Sequence, residues 1–237
     1  RTGPTTISGP GAAEWLESQV INSFANFPVG SMKHAVMCND DGLIVAHGIV
    51  ERQADDHFES FAGGPPGRVA PADVPEGVTI GRLDHYLFQI AGPTSLEVLE
   101  RVTGESLRDV GFLRFRDTTI QGIPTEVGRI GMTGNLAYEL HGPMADAAAV
   151  YDAVYQAGQD LGLQRLGWGT YLVNHVEGGF PQQTWTFATA FDPDRHPEIA
   201  GFWRNVSGSV DLADRRARTR TPVEVRWHNM ARFDHDF

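Results

Sequence analysis

The sequence predicts an α+β fold built twice over, each half a small β-sheet covered by a helix. Three observations carry this. Residues 7–18 and 90–101 form an internal repeat with six of twelve positions identical at an offset of 83: Ile7/Ile90, Gly9/Gly92, Pro10/Pro93, Glu14/Glu97, Leu16/Leu99 and Glu17/Glu100. Both copies read as a strand running into a Gly-Pro turn and then a helix. A period this long is not that of a solenoid and suggests a pseudo-twofold core. Period-2 runs around Gly/Asn turns recur in each half and supply the sheets.

Taken in order, residues 5–8 read as a strand and residues 12–21 as a helix with Trp15, Leu16 and Val20 on one face. Residues 33–38 and 43–51 flank Asn39-Asp-Asp-Gly42, a hairpin signal. Residues 62–77 hold four Pro and four Gly with little bulk and read as a loop or linker. The second half begins with a strand over 81–90, its Gly-Pro helix ends at Gly104, and residues 110–119 read as mostly extended.

A hairpin over 125–130 and 136–141 follows, around Arg129-Ile-Gly-Met132-Thr-Gly-Asn-Leu-Ala-Tyr138-Glu139. On its second strand Leu136, Tyr138 and Leu140 share one face, and Ala137, Glu139 and His141 the other. Pro143 opens a helix to about Gln156, with Gly158 and Gly162 ending it. Gly167-Trp-Gly-Thr-Tyr171 then reads as a Gly-rich turn that presents a tyrosine. Beyond Phe180 the chain is aromatic with weak periodicity. Four arginines at 215, 216, 218 and 220 read as a solvated face, and residues 222–227 as a short strand. The expected division is 1–62, a loop at 63–78, and 79–237.

Composition narrows the function classes. An apolar fraction of 41% and a charged fraction of 21% over 237 residues are those of a globular protein. No apolar run is long enough to span a membrane. A net charge of −11 argues against nucleic acid. One cysteine, Cys38, allows no internal disulfide and fits a reducing, cytoplasmic setting. Nine histidines invite a search for metal ligands, but none has zinc-site spacing, and no metal is expected. Nucleotide-binding and serine-hydrolase motifs are also missing from the sequence.

The two Gly-Pro helices, the Asn-Asp-Asp-Gly hairpin, Arg129-Ile-Gly-Met-Thr-Gly with Tyr138-Glu139, and Gly167-Trp-Gly-Thr-Tyr171 with Glu177-Gly-Gly come in a familiar order. It resembles that of the glycine-cleavage T-protein (aminomethyltransferase) superfamily, and within it the tetrahydrofolate-dependent aryl O-demethylases that act on vanillate and syringate. Met132 and the stretch 232–237 carry the likeness to that branch. The resemblance implies a folate-binding fold whose first two subdomains are ferredoxin-like halves. It implies methyl transfer from an aromatic methoxy acid to tetrahydrofolate, with aminomethyl transfer or a non-catalytic folate-binding subunit as alternatives.

The resemblance further implies that Glu139 faces the pterin, where a carboxylate can accept paired hydrogen bonds. Arg129 and Met132 would lie beside it, and Tyr171 by the methoxyl oxygen, where a phenol can assist the departing phenolate. His47 stands where the family has an aspartate. It is a substitute acid/base group, a satisfied histidine or a mark of lost activity. The arginine expected for a substrate carboxylate falls near Gly63-Gly64, with Arg68 close by. An upstream segment and a C-terminal domain that closes the channel are expected beyond the ends, with a second copy or a partner subunit as another way to complete it.

Overall fold

The computed structural model describes residues 4–61, 74–132, 134–180, 187 and 190. The expectations for 62–73, for 191–237 and for Arg68 lie outside these residues. The chain divides into two compact units, one containing Arg1–Val29 and Lys33–Leu83, the other Gly30–Met32 and Asp84–Phe180.

The first unit holds a five-stranded sheet in the order β2-β3-β4-β1-β5, formed by β1 (Thr5–Ser8), β2 (Ser31–Cys38), β3 (Ile44–Ala54), β4 (His57–Ser60) and β5 (Thr79–Arg82). Helix α1 (Ala12–Gln19) buries Ala12, Trp15 and Leu16. Its core gathers Ile7, Leu16, Val50 and Phe58 with Phe24 and Phe27, whose rings meet edge to face at 4.9 Å. The Asn-Asp-Asp-Gly hairpin forms as expected. The Asn39 side chain accepts the N–H of Asp41 and Leu43 at 3.1 and 2.9 Å, and Gly42 takes a left-handed φ of 74°.

The second unit holds a four-stranded antiparallel sheet in the order β6-β9-β8-β7: β6 (His85–Ala91), β7 (Phe115–Ile120), β8 (Ile123–Gly128) and β9 (Ala137–Pro143). Helices α2 (Ser95–Thr103) and α3 (Ala147–Ala157) accompany it. Tyr86, Ile90, Val127, Tyr138 and Leu140 from the strands pack with Val98, Leu99, Val150 and Val154 from the helices. The single strand expected over 81–90 is two strands. Ile80 of β5 pairs with Ile7 in the first sheet, while β6 pairs with β9 in the second. Gly81 allows this, because a Cβ there would meet the Thr6 hydroxyl at 2.5 Å.

The internal repeat reaches further in space than its twelve residues. Gly9 and Gly92 both have positive φ, 111° and 123°, and each carbonyl accepts a helix-opening N–H, from Ala12 at 3.0 Å and Ser95 at 3.1 Å. At the other end, Glu17 Oε1 accepts the N–H of Phe24 at 2.8 Å and the Ser23 hydroxyl at 3.4 Å. Glu100 Oε1 does the same for Leu107 at 3.1 Å and Ser106 at 3.0 Å. In both halves one helix carboxylate thus holds the chain that leaves the helix, and a core residue (Phe24 or Leu107) follows from it.

Substituting Glu100→Ala leaves the Leu107 N–H without its acceptor, and should lower stability by about 1–2 kcal/mol. Glu17→Ala should cost a similar amount through Phe24. Urea unfolding midpoints check this, and two wild-type-like midpoints would contradict it.

Candidate functional site

The second sheet has two faces of different chemistry, set by strand alternation. On β9, Tyr138 and Leu140 enter the core with α2 and α3, while Glu139 and His141 project from the opposite face. Both are nonetheless buried, at 4% and 2% exposure. Register supplies their partners. Gln89 of β6 lies opposite Glu139, and Glu126 of β8 lies opposite His141.

The Gln89 amide donates to Glu139 Oε1 at 3.3 Å. His141 Nε2 lies 3.4 Å from Glu139 Oε2, and its Nδ1 lies 3.3 Å from Glu126 Oε1. Across β8 from Glu139 stands Gly128, where a Cβ would collide with the Met32 side chain. Glu139 is therefore approached by Gln89 from β6 and His141 from its own strand, with Met32 over the neighbouring β8 position. His85 belongs to the same surroundings. Burial pushes its pKa down, His141 pushes it further, and Glu126 and Asp84 oppose the shift.

Tyr171 departs from expectation in its setting. It lies in the second turn of helix α4 (Trp168–Glu177), not in a Gly-rich turn. Gly167 is extended and caps the helix. Only Gly169 is internal, and Trp168, Tyr171, Leu172 and His175 follow a helical period. The Tyr171 hydroxyl donates to Met132 Sδ at 3.7 Å, its ring stacks on Trp168 at 5.2 Å, and the His175 ring meets it edge-on at 4.3 Å. Burial lowers the pKa of His175.

Tyr171 and Trp168 line a cavity of about 440 Å³ with Gln89, Tyr155, Arg165 and Asn174. Gln89 links the two features, since it lines the cavity and bonds to Glu139, which is not itself a lining residue. The Arg165 guanidinium, the cavity's one charged lining group among the described residues, rests over the Tyr155 ring at 4.5 Å and the Tyr151 ring at 5.6 Å. Such a cavity suits a flat aromatic ligand. Arg129 is half-buried, and its guanidinium donates to the Val110 carbonyl at 3.4 Å.

His47 lies in the first unit, and its Nε2 is 3.0 Å from His34 Nδ1 with the rings stacked. Burial first, and then the neighbouring His34, push its pKa down to about 3, so at neutral pH it is an uncharged imidazole.

The structure thus brings Tyr171 and Met132 together and gives Glu139 a buried polar setting. Gln89 and Glu126 carried no sequence signal, because their partners sit on strands whose register local patterning does not fix. His141 did carry one, since alternation alone puts it on Glu139's face.

Comparison with known proteins follows the same lines. The GCVT N-terminal domain family matches residues 2–196. The chain is 39% identical to a sesamin methylene transferase from a Sinomonas species and 29% identical to a syringate O-demethylase from a Sphingobium species, each over 98% of this chain and 54% of the relative. It spans about half the length of these relatives. In fold it is similar to the glycine-cleavage aminomethyltransferase T of Bartonella henselae, with a TM-score of 0.68 and 19% identity over 80% of this chain and 52% of that one.

The His47 shift predicts a pH dependence of stability. Its folded pKa lies below the ordinary 6.5, so as pH falls the unfolded chain takes the proton first. The contribution is complete above about 6.5 and lost as pH drops toward 3, with up to about 2 kcal/mol gone by pH ~5. Urea unfolding between pH ~7.5 and ~5 should show a shallower loss in His47→Asn than in wild type. Equal slopes would contradict the assignment.

Proposed function

Because the chain belongs to the glycine-cleavage T-protein (GCVT) family, we propose that it binds tetrahydrofolate and promotes transfer of a methyl group to it from an aryl methyl ether of the vanillate or syringate kind. The observation that carries this reading is the buried Glu139 carboxylate, bonded to a glutamine that lines an aromatic cavity shared with Tyr171. These residues fit a reduced pterin. The carboxylate is an acceptor for the ring N–H and exocyclic amine, and the cavity offers flat walls. Met132 and Arg129 would flank that end. Tetrahydrofolate, when bound, supplies the amine nitrogen that takes up the one-carbon unit.

The chain's own part is alignment and relief of charge. Glu139 fixes the edge of the pterin. Tyr171, held by its stacking on Trp168, donates a hydrogen bond or proton to the oxygen that becomes the phenolate when the C–O bond breaks. Arg165 supplies the cation that a substrate carboxylate needs, a service expected near Gly63-Gly64. His47, neutral and paired with His34, serves as a hydrogen-bonding group and not as a proton carrier.

A second reading, transfer of a methylene unit, is favoured by the 39% identity to sesamin methylene transferase. A third, folate binding within a larger assembly, is favoured by 32% identity over 92% of this chain to sarcosine oxidase subunit alpha from a Corynebacterium species.

Incubation with tetrahydrofolate and, in turn, vanillate, syringate or sesamin separates these readings. The first expects 5-methyltetrahydrofolate and a phenol from a methoxy acid. A methylene-folate formed from sesamin alone would replace it with the second. No product, with folate still quenching tryptophan fluorescence, would leave the third. In the first case Tyr171→Phe should lower kcat about 100-fold while the folate Kd stays within about twofold. An unchanged kcat would remove the tyrosine from the chemistry.

A further inference from the structure

We infer that His141, backed by Glu126, is a positioning residue that with Gln89 fixes the orientation of the Glu139 carboxylate. The inference rests on the reading of Glu139 as the folate-binding acid.

The argument begins with the cost of burial. A carboxylate at 4% exposure needs partners for its oxygens, and those partners decide which way it points. Three successive side-chain torsions would otherwise let it turn. Gln89 holds Oε1 from β6 at 3.3 Å. His141, two residues on along β9 and so on the same face, stands 3.4 Å from Oε2. Both oxygens are thus addressed, by different strands and from different directions.

An imidazole could tilt about its own torsions and take the carboxylate with it. Here its far nitrogen lies 3.3 Å from Glu126 Oε1, directly across the β8–β9 ladder. Each ring nitrogen therefore faces an oxygen of an ionisable acid. The row Gln89, Glu139, His141, Glu126 crosses three adjacent strands. Met32 fills the place over Gly128 toward which Glu139 would otherwise lean. With one oxygen held by Gln89 and the other facing His141, the Glu139 carboxylate is left at a fixed angle, as paired recognition of a heterocycle edge requires.

The test is a double-mutant cycle on the full chain with two readouts. Tetrahydrofolate is titrated against tryptophan fluorescence in wild type, His141→Gln, Glu139→Gln and the double variant. Positioning predicts that His141→Gln weakens folate about tenfold in the wild-type background and by less than twofold in the Glu139→Gln background. Glu126→Gln should give a smaller loss, since the side chain keeps its size opposite Nδ1 and loses only its charge. An equal loss in both backgrounds, or none in either, overturns the inference.

The second readout needs no ligand: the side-chain amide signals of Gln89 and the carboxyl carbon of Glu139 by NMR. Both should shift in His141→Gln, and unmoved signals overturn the inference. Should wild type bind no folate, the reading of Glu139 as a folate contact fails. The NMR signals then decide the positioning role by themselves.

Discussion

Glu139 meets Gln89 on one side and His141 on the other, and this small set of polar contacts is the constraint around which the second unit is arranged. A buried acid in an otherwise apolar half-domain is costly unless its oxygens are engaged. The register of β9 between β6 and β8 engages them. A slip of one residue would put Tyr138 and Leu140 on the polar face and Glu139 among Val98, Leu99 and Val150. The aromatic core on the helical face and the polar row on the other therefore enforce the same alignment. That gives the fold little freedom to misplace the acid.

The repeated halves show how such a scaffold is built economically. Each uses a glycine at positive φ to turn from strand to helix and a helix glutamate to catch the chain beyond it. The later strands then diverge. The first half puts a pair of histidines across its hairpin, and the second puts a carboxylate, an imidazole and a carboxamide across its sheet. Similar frames carry different chemistry because the frame is fixed by turns and helix caps, which leave the outward strand positions unassigned.

Much of this was legible beforehand. Strand alternation placed Glu139 and His141 together, because a period of two is a local property. The offset of 83 revealed the doubled fold, while the matching roles of Ser23 and Ser106 beyond the repeat emerged only from the structure. Long-range pairing was not legible. Nothing near Gln89 in the sequence says that it faces a residue fifty positions away. The split of 81–90 into strands of two sheets likewise depends on partners far along the chain. Tyr171 was misread locally. Two glycines suggested a turn, whereas one caps the helix and the other is tolerated inside it, at about 1 kcal/mol relative to alanine.

The account stands or falls on what Glu139 holds. A crystal structure of the chain soaked with a reduced pterin puts the question directly. The expected result is the ring edge within about 3 Å of both Glu139 oxygens, with Gln89 and His141 still in contact with them. A pterin bound elsewhere, or a Glu139 carboxylate that touches only Gln89 and His141 while the pterin is held by other groups, would contradict it.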